Sequence, residues 1–144
     1  MRLATSDSRR LTSDTGLLAN LLEQGYDFFS GVPDSGLKAF IADVYELPSG
    51  QHVPATWEAE AVALAAGAYL AGRKPCVYLQ NAGLGHTINP LVSLCIPYEI
   101  EMLLLVGHRH TLPQHRVMGE TDEKLLQLIG WSRYLLVEGD NNEK

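Results

Sequence analysis

Two short segments, PCVYLQ at 75–80 and MLLLVG at 102–107, carry no charge and no alternation of polar with apolar residues. A strand with one wet face alternates; a strand covered on both faces does not. These segments therefore predict central strands of a parallel sheet with helices on both sides, an α/β fold. The flanking patterns agree. LTSDTGLLANLLEQG reads as a helix with Leu17, Leu18, Leu21 and Leu22 on one face, Ser13 or Asp14 as its cap and Gly25 as its stop. YDFFSGV, HVPAT and SRYLLVE read as strands, and PDSGLKAFIADVYE as a helix burying Leu37, Phe40, Ile41 and Val44. ATWEAEAVALAAGAYLAG (55–72) is a helix ended by Gly72, and GLGHTINPLVSLC a glycine loop entering a helix. Residues 107–119, GHRHTLPQHRVMG, read as a long polar loop, followed by a helix capped by Thr121 or Asp122. The expected organisation is a flexible tail over 1–11, one domain over 12–138 and a polar tail over 139–144.

Composition narrows the function classes. The net charge of −6 argues against a partner that is a nucleic-acid backbone. No apolar run approaches the roughly eighteen residues of a membrane span. The first residues lack the apolar centre of a secretory signal, and Cys76 and Cys95 sit in apolar segments as buried, reduced thiols, so the expected location is the cytoplasm.

In parallel sheets ligands bind beyond the carboxyl ends of the strands. The polar clusters SGVPDSG, ATWEAE, QNAGLGHT and GHRHTLPQH all fall there. Glu58 and Glu60 open a helix that has no charge for the next twelve residues. Acids suit a helix's first turn through its dipole. A carboxylate beside a close-packed apolar surface is also desolvated, which suits proton exchange near neutral pH. The small alanine-rich helix admits close approach of another backbone or subunit. Gly83 and Gly85 suit either a tight turn or a ligand's close approach. Three histidines, His108, His110 and His115, share one loop with Arg109 and Arg116. No cysteine or carboxylate stands beside them on that loop, so no metal is expected, and the arginines suit an anion.

Taken together, DFFSGVPDSGLKAF, ATWEAEAVALAAGAYLAG, YLQNAGLGHTINPLVSL and LPQHRVMGETDEKLL resemble, in that order, the pyrimidine-binding (PYR) domain of thiamine-diphosphate-dependent 2-oxoacid decarboxylases. The similarity covers about residues 14–130. Its branch is that of phosphonopyruvate and sulfopyruvate decarboxylases. The resemblance aligns Glu58, and not Glu60, with the glutamate that bonds N1′ of the cofactor's aminopyrimidine ring. It implies catalytic roles for Glu58, Asp34 and His115. It implies a cofactor-lining role for Pro33, Asn81, Gly83, Leu84 and Gly85, and substrate contacts for Ser35, Arg109, Gln114 and His86. Trp57 and His86 depart from the family pattern, which commonly has asparagine at both positions. The resemblance would also add a helix and a strand after the last strand.

The Gly-Asp-Gly…Asn motif that holds Mg²⁺ and the cofactor's diphosphate in these enzymes has no match in this chain. The expectation is a split enzyme in which a β subunit with a pyrophosphate-binding (PP) domain carries the metal, as α₂β₂ or larger. The expected reaction takes phosphonopyruvate, a small 3-substituted pyruvate, to phosphonoacetaldehyde and CO₂ in phosphonate biosynthesis. The alternatives are sulfopyruvate decarboxylation, giving sulfoacetaldehyde and CO₂, and a non-catalytic PYR-like module that stabilises a partner.

Overall fold

The computed structural model describes residues 10–12 and 16–138 of the 144. The elements are β1 (Arg10–Thr12), α1 (Leu17–Glu23), β2 (Phe28–Gly31), α2 (Lys38–Tyr45), β3 (His52–Pro54), α3 (Glu58–Leu70), β4 (Pro75–Gln80), α4 (Leu84–Pro90), β5 (Leu103–His108), α5 (Pro113–Leu128) and β6 (Tyr134–Glu138). A 3₁₀ turn at Ser35–Leu37 precedes α2, another at Asn81–Gly83 precedes α4, and a π-helical turn at Leu91–Cys95 follows α4.

The strands form one six-stranded sheet in the order β1-β6-β5-β4-β2-β3, and every pairing is parallel. The expected α/β architecture is therefore present. β4 and β5 are buried along their whole length apart from Gln80. Their side chains alternate between two cores. Val77, Leu79, Leu104 and Val106 pack with Ala61, Val62, Leu84, Leu91 and Leu126 of α3, α4, the turn after it and α5. Cys76, Tyr78, Leu103 and Leu105 pack with Leu18, Leu21, Phe40 and Val44 of α1 and α2. Each strand is apolar on both faces because a helix layer covers each face.

Chain order reverses at β2: β3 lies on one side of it and β4 on the other. The segments leaving β2 and β4 therefore diverge, one to α2 and one to α4, on opposite faces of the sheet. That divergence opens a crevice at the carboxyl edge, where open parallel sheets bind ligands.

Three expectations are corrected. Arg10 and Leu11, expected in a tail, form β1 beside β6. The open side of β6 offers unpaired N–H and C=O groups that an extended segment satisfies. Residues 107–119 are not a long loop. β5 runs to His108, and α5 begins at Pro113, with Leu112 as N-cap. Proline at the first helical position costs no hydrogen bond, so the helix starts inside the polar run. Thr121 and Asp122 are accordingly mid-helix and cap nothing: Thr121 Oγ1 donates back to Val117 O. Ser13 and Asp14, the expected caps of α1, lie outside the described residues, as do 1–9 and 139–144. The glycine stops hold: Gly25 and Gly72 have φ of 86° and 84°, the left-handed conformation that ends a helix without a Cβ penalty.

Candidate active site at the carboxyl edge of the sheet

Helix α3 starts after Trp57, whose extended backbone (φ −150°) turns the chain off β3. The two acids of its first turn have different partners. Glu60 Oε2 accepts from the backbone N–H and the hydroxyl of Thr56, each at 2.8 Å. These bonds hold its carboxyl below the usual range. Glu60 thus ties Thr56, the residue before the N-cap, back to the first turn of the helix. Glu58 turns to α4. Its side chain is 13% exposed, and Oε2 lies 2.8 Å from His86 Nδ1. Oε1 lies over Gly83, where a Cβ would sit 2.1 Å from it. Glycine is needed there so that the carboxylate can lie down on the 3₁₀ turn. Behind them, Ala61, Val62, Ala65 and Ala66 face the chain's own sheet, while Ala63, Gly67 and Leu70 face outward. Small residues on the inner face let α3 settle closely onto β2 and β4.

A second cluster joins the ends of β2 and β5. Asp34 is buried, and its Oδ1 accepts from Arg109 Nη2 at 2.7 Å. The same guanidinium donates to Ser35 Oγ. Asp34 lies over Gly107, where a Cβ would come within 2.4 Å of Oδ2. Beneath this pair runs a buried polar chain. His108 Nδ1 lies 2.6 Å from Asp122 Oδ2, both side chains being almost fully enclosed. Asn81 Nδ2 donates to Arg109 O at 2.8 Å and to Asp122 Oδ2 at 3.4 Å. Asn81 therefore ties β4's end to β5's end, linking the Glu58 cluster to the Asp34 cluster. Asn81 Oδ1 is buried without a protein partner among the described residues.

The other predicted site residues divide. Pro33 and Ser35 are exposed at the edge, as are Gly85 and His86. A Cβ on Gly85 would meet nothing within 4 Å. Leu84 is fully enclosed in the core, so it supports the turn from behind. Gln114 is exposed and His115 half-buried in the first turn of α5, at the same edge. The sequence reading missed Asp122. The signal was present: Met118, Asp122, Leu125 and Leu126 recur at helical spacing, which puts the acid on the buried stripe. Trp57 and His86, the two departures from the family pattern, meet each other, with ring centroids 5.9 Å apart.

The fold also gives the histidine pair a carboxylate that their own segment lacks. His108 and Glu138 are opposite each other in the β5–β6 pairing, and one ligand-capable atom each from His108, His110 and Glu138 lie within 4.8 Å of one another. A groove of about 510 Å³ lined by Tyr69, Glu99, Trp131 and Arg133 lies at the sheet's other edge and contains none of the predicted site residues. Among the described residues no helix is long and apolar enough to cross a membrane.

Comparison with known proteins identifies the family to which this fold belongs. Residues 12–127 match the family described as thiamine pyrophosphate enzyme, N-terminal TPP binding domain. The chain is 36% identical over 113 residues to the sulfopyruvate decarboxylase subunit alpha of Methanococcus maripaludis, covering 76% of this chain and 68% of that one. It is 38% identical over 112 residues to the same subunit of Methanocaldococcus jannaschii, covering 75% of this chain and 66% of the relative. It is 38% identical over 123 residues to the phosphonopyruvate decarboxylase of Streptomyces viridochromogenes, covering 81% of this chain but 31% of the relative. The chain thus spans about two thirds of the curated α subunits and about a third of that longer decarboxylase. With a matching profile over most of its length and a glutamate seated against Gly83 at the carboxyl edge, the chain belongs to the family of thiamine pyrophosphate enzyme N-terminal, TPP-binding domains.

Proposed function

We propose that this chain is the pyrimidine-binding α subunit of a cytoplasmic, heteromeric, thiamine-diphosphate-dependent decarboxylase that converts phosphonopyruvate to phosphonoacetaldehyde and CO₂. The observation that carries the reading is Glu58: a largely enclosed carboxylate at the carboxyl edge, with one oxygen over a glycine that leaves no side chain in the way. These residues fit the aminopyrimidine end of the cofactor. Glu58 would hold or yield a proton at N1′, Gly83 would seat its carboxylate, and Gly85, with open space above it, would let a flat ring approach the turn. Bound thiamine diphosphate supplies an electron sink for the pair released when the carboxylate carbon leaves. Asp34 and His115 are the proton-transfer groups of this reading. Arg109, which bonds Ser35 as well as Asp34, would face the substrate's anionic group, with Gln114 exposed at the same edge.

Sulfopyruvate decarboxylation is the second reading. It is favoured by the curated α subunits, of which this chain spans about two thirds, whereas the phosphonopyruvate enzyme is much longer. Both substrates are 3-substituted pyruvates whose second anionic group, a phosphonate or a sulfonate, Arg109 would meet. In both readings a β subunit with a PP domain carries the Gly-Asp-Gly…Asn motif and Mg²⁺, in an α₂β₂ or larger assembly. We assign no metal to His108, His110 and Glu138. His110 and Glu138 are turned directly to each other, with Nδ1 3.7 Å from Oε2, and both stand partly open to solvent. Submicromolar zinc binding abolished by Glu138→Gln would reverse that assignment.

The test is reconstitution with the co-purifying partner, thiamine diphosphate and Mg²⁺, assayed on both substrates side by side. Faster turnover of phosphonopyruvate supports the first reading; faster turnover of sulfopyruvate replaces it with the second. Glu58→Gln is expected to abolish turnover while assembly persists. Full activity in that variant would leave only the non-catalytic, partner-stabilising module.

A further inference from the structure

We propose that His86 is the positioning residue for Glu58, fixing which carboxylate oxygen is presented to the cofactor; this rests on the reading of Glu58 above. Three observations converge. His86 Nδ1 stands 2.8 Å from Glu58 Oε2, a hydrogen-bonded contact between α4 and the start of α3. Oε1 is committed on its other side to the surface of Gly83. The Trp57 ring packs beside the imidazole at 5.9 Å, tilted by 59°, and so limits the orientations of a side chain that is otherwise 56% exposed.

A carboxylate at the end of two methylenes is free to exchange its oxygens by rotation. A carboxyl that must share a proton with one ring nitrogen gains from having that rotation stopped. Here one oxygen is held by an imidazole and the other lies on a glycine surface, so the two are no longer equivalent. The contact between Nδ1 and Oε2 needs one proton between two groups, and the exposed imidazole also connects the enclosed carboxylate with solvent. His86 therefore acts through Glu58. Trp57 in turn acts through His86.

The shape of the imidazole supplies a discriminating variant. The amide nitrogen of asparagine reaches the place that Nδ1 occupies, whereas alanine leaves Oε2 without this partner. In the reconstituted holoenzyme His86→Ala is expected to lower kcat about tenfold or more at saturating cofactor, the range for loss of a hydrogen bond to an ionised group. KM for the oxoacid should change little, and His86→Asn should recover most of the rate. Nitrogen-15 NMR of histidine-labelled full chain gives a readout independent of turnover: the Nδ1 resonance assigned to His86 should move in Glu58→Ala. An unmoved Nδ1 resonance, or unchanged kcat in His86→Ala while Glu58→Gln is inactive, would overturn the positioning role and leave the decarboxylase reading standing. Full activity in Glu58→Gln would remove the reading on which the role depends.

Discussion

Arg109 Nη2 and Asp34 Oδ1 meet at 2.7 Å across 75 residues of sequence, joining the end of β5 to the segment that leaves β2. The acid is 2% exposed and the guanidinium 16%. An enclosed pair of this kind is costly to break from one side, because the remaining charge stays in a poorly solvated place.

Arg109→Ala is therefore expected to destabilise the chain by about 3–5 kcal/mol. Arg109→Leu/Asp34→Leu together should cost less than Arg109→Ala alone, since no charge is left behind. Urea unfolding of the three proteins checks the order. A single variant milder than about 1 kcal/mol would mean that the pair is well solvated.

Gly83→Ala should fold normally, because the turn there has ordinary helical backbone angles (φ −85°, ψ −7°). Its new Cβ would stand 2.1 Å from Glu58 Oε1, so the carboxylate must swing off the turn. The expected result is a melting temperature within a few degrees of the parent, with turnover of the reconstituted enzyme reduced at least tenfold. Parent-like turnover would show that the seat of Glu58 on Gly83 is unimportant.

His52 gives the fold a dependence on pH. Burial lowers its pKa, and Nε2 lies 2.8 Å from the Tyr78 hydroxyl. In the unfolded chain the imidazole takes up its proton near pH 6.5; in the folded chain it does so at lower pH. The unfolded state therefore binds more protons between those values, and stability rises with pH there. The contribution is complete above about pH 6.5 and is lost as the pH falls towards the folded value. The difference in melting temperature between the parent and His52→Gln should shift against the parent on acidification from pH 7 to pH 5. A difference independent of pH would exclude this origin.

Cys95 and Cys76 should be unreactive in the native state. Burial pushes the Cys95 thiol up to about 11, and burial raises that of Cys76 further. Thiolate is the reactive form, so a disulfide reagent at pH 8 is expected to label neither in minutes and both in denaturant. Rapid native labelling of either residue would contradict the packing of its core.

The sequence by itself determined the architecture and the location of the chemistry. Uncharged segments such as PCVYLQ need cover on both faces, which forces parallel strands between helices, and the polar clusters then fall together at the carboxyl edge. It also marked Glu58 through its resemblance to a known family. What it did not determine was which polar group meets which. Asp122 looks like a helix cap in sequence, and becomes the partner of His108 only when α5 starts at Pro113 and turns that acid inward. Glu58 and Glu60 share the first turn of one helix, and beyond the family resemblance the contacts separate them: Thr56, four residues away, engages Glu60, whereas His86 and Gly83, distant in sequence, engage Glu58. The reason is physical. Periodicity reports which face of an element avoids water, whereas hydrogen-bond pairing depends on distances of a few ångströms between segments far apart in the chain.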